Sequence, residues 1–110
     1  MSAQDSIQGL IDKFHRKMQS DERARADVEP IKKTFNIDLG GESYSMRLEN
    51  ACISGFAPGL VSDADVTLIT TPESLQDLID GTLRPMRAYV TKKITVKGKV
   101  QDLLFLKKFF

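Results

Sequence analysis

Residues 31–49, IKKTFNIDLGGESYSMRLE, decide the fold class. Ile31, Phe35, Ile37 and Leu39 fall on one side of an extended chain, and Lys32, Thr34, Asn36 and Asp38 fall on the other. Apolar residues repeating every second position mark a half-buried strand. Gly40-Gly41 can supply the positive φ angles of a tight hairpin turn. Tyr44, Met46 and Leu48 then alternate with Ser43, Ser45, Arg47 and Glu49. The stretch therefore predicts two antiparallel strands joined by a short turn.

Working outward toward the C-terminus, residues 51–57 predict a third strand with Ile53 as its firmest core residue, and Pro58-Gly59 signals a turn into a loop reaching Ser62. Residues 65–70 (DVTLIT) are rich in β-branched side chains and predict a fourth strand. Thr71 followed by Pro72 is a helix start, because proline at the first helical position sacrifices no needed N–H. Leu75, Leu78 and Ile79 form that helix's buried side, and Gly81 ends it. A second short helix starts near Pro85 and carries Met86, Ala88, Tyr89 and Val90. Residues 93–97 predict a fifth strand with Ile94 and Val96 on one face, Gly98 breaks the chain, and residues 100–110 predict a closing helix. Toward the N-terminus, residues 6–26 predict one amphipathic helix with the stripe Ile7, Leu10, Ile11, Phe14 and Met18, capped by Asp5 or Ser6. Pro30 closes that region. This order is α+β, not the regular alternation of a doubly wound sheet. It predicts a twisted, mainly antiparallel five-stranded sheet with helices covering one face.

A length of 110 residues, 41% hydrophobic and 28% charged, fits one domain over residues 1–110 and excludes a disordered tail or a collagen. The single Cys52 forbids an intrachain disulfide. No window approaches the roughly 18–20 consecutive apolar residues of a membrane span, and residues 1–12 lack the basic-then-apolar layout of a signal peptide. A cytoplasmic protein is the expectation. The formal net charge of +1 conceals a split: residues 1–83 carry a balance of −6 and residues 84–110 a balance of +7. Folding can bring the two parts together so that they neutralise each other. Alternatively, the basic segment can attract phosphates or an anionic surface.

The residues offer little for catalysis. His15 is the only histidine and lies beside the apolar stripe of its helix, where an edge-packed or solvated role is expected. Cys52, alone in a strand, is expected to be a small buried hydrophobe. Asp63 and Asp65 are too few for a metal site and are better read as a strand entry. There is no phosphate-cradling glycine loop and no nucleophile elbow. The expectation is a protein that is not an enzyme and uses no metal or cofactor.

The closing helix is unusual. Leu103, Phe105, Leu106, Phe109 and Phe110 span a broad arc at 100° per residue, wider than an ordinary surface helix shows. Such a helix covers core, lines a cavity, or meets a membrane or partner. Ahead of it stand Arg84, Arg87, Lys92, Lys93, Lys97 and Lys99. Positive charge beside an apolar cover suits an amphiphile with an acidic head group.

The run from Asp63 to Lys99 resembles the sterol carrier protein type 2 lipid-binding family. Ala64-Asp65-Val66-Thr67-Leu68 stands where the family has Ala-Asp and an alternating strand containing Thr. Leu75 and Leu78 fit its leucine-bearing helix. Gly81 to Tyr89 (GTLRPMRAY) matches its Gly-Lys-Leu/Met-x-Pro-x-x-Ala-aromatic segment, and Lys92 to Gly98 (KKITVKG) matches its Gly-Lys-Leu-Lys-Ile-x-Gly segment. Thr82, Lys92 and Lys99 depart from the usual Lys, Gly and Asp or Asn, which bears on ligand preference rather than fold.

The resemblance implies an apolar tunnel between sheet and helices, and non-catalytic binding and transfer of a fatty acid, fatty acyl-CoA, phospholipid or sterol. Phe14, Met18, Met86, Tyr89, Leu103, Leu106 and Phe109 are the side chains expected to line the tunnel. Arg84, Arg87 and Lys92 are the candidates for a head group. The partners carried by this reading are a lipid or fatty acyl ligand, transient contact with an anionic membrane surface, and a homodimer. Nucleic acid is not among them, because no aromatic residues interleave with the basic ones. The competing reading is an interaction or dimerisation module of the same fold with a collapsed cavity.

Overall fold

The computed structural model describes residues 2–107, with side chains through residue 105. The elements run α1 (Ala3–Ser20), α2 (Glu22–Val28), β1 (Lys33–Asp38), β2 (Ser43–Glu49), β3 (Cys52–Pro58), β4 (Val66–Ile69), α3 (Pro72–Asp80), α4 (Pro85–Val90), β5 (Thr95–Lys97) and α5 (Val100–Lys107). The five strands form one sheet in the order β3-β2-β1-β4-β5.

The hairpin forms as expected. Phe35 pairs with Met46 and Ile37 with Tyr44, and Gly40 turns the chain at φ 87°. A second hairpin follows, turned by Asn50 and Ala51 at φ 55° and 56°. Two successive left-handed residues match the right-handed twist of the flanking strands. A bulge between Ser45 and Arg47 shifts the β2–β3 register. β4 then lies parallel to β1, the one parallel pairing in an otherwise antiparallel sheet. Asp65 fastens this junction from both ends. Its backbone N–H donates to the Thr34 carbonyl and its Oδ2 accepts the Thr34 N–H, each at 2.8 Å. The aspartate thus serves the strand entry.

The N-terminal segment differs from its expectation in two ways. Residues 6–26 do not form one helix. Asp21, at φ −133° and ψ 98°, ends α1 and caps α2. Its N–H donates to the Lys17 carbonyl at 3.0 Å, while its Oδ1 accepts the Ala24 N–H at 3.0 Å. A short acidic side chain able to bond nearby backbone favours a cap over a helix interior, which the apolar period does not register. The first cap is also earlier than expected. Ser2 accepts the Asp5 N–H at 3.1 Å, which leaves Ser6 buried and donating to Gln76 Oε1 of α3 at 2.8 Å.

The helices cover the sheet face that carries Phe35, Ile37, Tyr44, Leu48, Ile53, Val66 and Leu68. Ile7, Ile11, Phe14 and Met18 of α1 pack there with Val28 of α2 and Leu75 of α3. On the opposite face, Asn36 is buried although it belongs to the polar side of β1. Its amide clamps the loop after β3, donating to the Val61 carbonyl at 2.8 Å and accepting the Val61 N–H at 3.0 Å. Among the described residues no helix is long and apolar enough to cross a membrane.

Two outcomes follow. Gly98 sits at φ 101°, and a Cβ there would collide with the Asp65 carbonyl oxygen. Gly98→Ala is therefore expected to cost about 2 kcal/mol or more in urea unfolding. At Asp21, the Ala24 N–H and then the Lys17 ammonium, at 3.3 Å, hold the carboxyl below the usual carboxylate range. A lowered folded pKa gives stability that is present at neutral pH and lost as pH falls through that range. Asp21→Ala should lower Tm at pH 7, and the gap from the unmodified protein should close in acid.

Candidate functional site

The alternation that builds the sheet also aligns its apolar side chains across strands. Ile37 of β1 pairs with Leu68 of β4, and Leu68 pairs with Val96 of β5. On the other side, Ile37 pairs with Tyr44 of β2. Burial holds the Tyr44 hydroxyl in its neutral form, and the Glu42 carboxylate adds to the effect. The result is a continuous row on the helix-facing side of the sheet.

This row is covered unevenly. One flank lies under α1, where Phe14 is fully buried and Ile7, Ile11 and Met18 nearly so. At the other flank Leu83, Ala88 and Ile94 form a second, smaller cluster that α4 closes through Ala88. Ile37, Leu68 and Val96 stay only half-buried. Leu68 and Val96 pack against both clusters at once. Leu78 of α3 is half-buried against the smaller cluster, and Ile79 of α3 with Leu103 and Phe105 of α5 is half-buried against the larger one. These side chains are all hydrocarbon, so the seam suits a ligand that gains by leaving water rather than one that needs hydrogen bonds.

The expected lining residues separate. Phe14 and Met18 belong to the main cluster, and Leu103 packs against it, so these three are brought together. Met86 and Tyr89 lie outside both clusters, 48% and 42% exposed on α4. Arg84, Arg87 and Lys92 are exposed around that helix. The Leu106 side chain and Phe109 lie outside the described residues. Ile37, Leu68 and Val96 were not among the expected site residues. Their alternation placed them on the core face, and nothing in a periodicity shows that the cover over them is thin.

Two other residues resolve differently. Cys52 is exposed on β3, not buried as expected, because it sits at the first position of a strand on the sheet's edge. His15 is half-buried and edge-packed against Phe14, with ring centroids 5.9 Å apart. Its Nε2 accepts the Ile53 N–H at 3.0 Å, so the imidazole closes part of the open edge of β3. The back face of the sheet carries an open groove of about 730 Å³ bordered by Asn36, Thr67, Asp65 and Lys97. The Asn36 amide there is already spent on Val61.

Comparison with known proteins follows the same lines. The family model described as the SCP-2 sterol transfer family matches residues 11–110. None of the curated proteins matches this sequence. Among solved structures, the inverting sec-alkylsulfatase Pisa1 from Pseudomonas sp. is similar with TM-score 0.70 and 17% identity, over 78% of this chain. The chain spans only 14% of that enzyme's length. Sterol Carrier Protein-2 from Aedes aegypti, in complex with the C16 fatty acid palmitate, is similar with TM-score 0.68 and 18% identity, over 99% of this chain and 94% of that one. A ubiquinone synthesis protein, UbiJ-SCP2, gives TM-score 0.66 and 16% identity over 92% and 84%. At these identities the structural likeness establishes the shared fold.

The packing of Phe14 generates a direct expectation. Its ring is fully buried in the main cluster. Phe14→Ala should cost about 3–5 kcal/mol in urea unfolding, through lost transfer energy and the void left behind.

Proposed function

We propose a lipid-carrier function from one premise: the chain belongs to the SCP-2 sterol transfer family. The observation that carries the reading furthest is the half-buried row Ile37–Leu68–Val96 between two packed clusters. A hydrocarbon chain laid along this row would complete the burial that the helices leave unfinished, with Phe14, Met18 and Leu103 as its wall. Leu106 and Phe109 extend the proposed lining. Met86 and Tyr89, being exposed, belong to its rim, and Arg84, Arg87 and Lys92 supply charge for an acidic head group. The cargo is a fatty acid, fatty acyl-CoA, phospholipid or sterol, carried without catalysis by a cytoplasmic protein. A related protein's complex with palmitate supports the fatty acyl class.

The energetics suit reversible carriage. Burying a 16-carbon chain gains about 12 kcal/mol gross at roughly 0.8 per CH₂. Association and ordering cost about 4–15 kcal/mol, so the net affinity remains modest enough for release.

A second reading has one observation in its favour. The space beneath α1 is filled by the protein's own side chains. That packing suits an interaction or homodimerising module with a collapsed cavity.

Mass spectrometry of an organic extract from freshly purified protein, beside an unrelated control, separates the two readings. The carrier reading expects a stoichiometric lipid. It also expects micromolar binding of a fluorescent fatty acid in solution, weakened about tenfold by Leu68→Gln, which places an amide in the seam. An empty extract together with no fatty-acid binding, in a protein that runs as a stable dimer, would replace the carrier with the module.

A further inference from the structure

We infer that α4 and the turn after it are a docking surface for an anionic lipid bilayer. Large exposed hydrophobic side chains are few among the described residues: Leu60, Met86, Tyr89 and Val90. The last three share α4, and Val90 is 70% exposed. At 100° per residue they fall within an arc of about 100°, with Ala88 roughly opposite. Ala88 is fully buried against Leu83 and Ile94. The helix is therefore anchored by its underside and presents its apolar side to the surroundings.

The chain on either side of this apolar face carries charge of one sign only. Arg84 and Arg87 lie on the helix and its N-cap, and Lys92 and Lys93 lie on the turn that follows, all exposed. Lys92 adopts φ 62°, a left-handed conformation that reverses the chain directly after the helix. No acidic residue occurs between Gly81 and Gln101. The ion pairs among the described residues are Lys17–Asp21, Lys32–Glu49 and Lys33–Asp102, and none uses these four cations. Close pairing with the acidic part of the chain, which the overall balance would allow, is thus not made by these four among the described residues.

Shallow apolar side chains ringed by cations match the interface of a bilayer. The apolar face enters the acyl boundary while Lys and Arg meet anionic head groups. An anionic bilayer answers both features, whereas a soluble anion would leave Met86, Tyr89 and Val90 in water. The inference deepens the carrier reading and rests on it for its purpose, which is exchange of cargo at a membrane.

The test is co-sedimentation of the full chain with phosphatidylcholine vesicles, with and without phosphatidylglycerol. Binding is expected to the mixed vesicles only and to fall as added salt shortens the screening length. The double substitution Val90→Glu and Lys93→Glu, both at exposed side chains, should weaken partitioning about tenfold or more, with thermal unfolding retained. Val90→Trp should strengthen it. Absence of vesicle binding, equal binding to both vesicle types, or full binding by the double variant would each overturn the docking surface. Fluorescent fatty-acid binding without vesicles is measured on the same samples. Absence of vesicle binding by the unmodified chain, with its cargo binding intact, refutes the docking surface alone. Vesicle binding without cargo binding refutes the carrier and leaves the docking surface standing.

Discussion

The parallel pairing of β1 with β4 is the constraint on which the structure depends. Parallel strands cannot be joined by a tight turn, so the chain must travel through β2 and β3 before returning. What secures the return is local. Asp65 presents both a backbone N–H and a carboxylate to Thr34, and Asn36 holds the connecting loop through Val61. Gly98 then allows the end of β5 to pass close over the Asp65 carbonyl. Register follows from these contacts. With Phe35 opposite Val66, Ile37 must stand opposite Leu68, and the apolar row across the sheet is complete.

The same register explains why the core is uneven. α1 brings a long stripe of Ile7, Ile11, Phe14 and Met18 to bear on the sheet and fills the space beneath it. α3 and α4 are short, and α4 contributes one fully buried residue, Ala88. A small side chain brings the helix backbone close but covers little of the sheet beside it. The half-buried state of Ile37, Leu68 and Val96 is the outcome, and unfinished apolar burial is what a hydrocarbon ligand can complete.

The ionisable groups divide in the same way. Acidic side chains serve the architecture at Asp21 and Asp65, through backbone N–H groups whose satisfaction the fold requires. The cations from Arg84 to Lys99 are left exposed to solvent. His15, the one residue suited to proton transfer at neutral pH, uses its Nε2 lone pair on the Ile53 N–H. These polar side chains are committed to backbone groups of the fold, at a helix cap, a strand junction and a sheet edge.

By itself, the sequence determined the family and every element but the two N-terminal helices, which it joined into one. Alternation in residues 31–49 and 65–70, the Thr71-Pro72 start and the Gly81 stop are each governed by backbone and side-chain preferences within a few residues, so they can be read from the chain alone. The ordered run from Asp63 to Lys99 carried the family resemblance for the same reason. The break at Asp21 was also local, yet it was hidden because a capping side chain interrupts a helix without interrupting its apolar period. Only the tertiary structure decided which apolar residues were covered. Met86 and Leu103 are equally apolar, but one is turned to the surface and the other packs on the core. Cys52 is exposed because its strand lies at an edge, and strand order is set by long-range pairing. Burial depends on what several distant segments bring to one place, and no single stretch of chain contains that information.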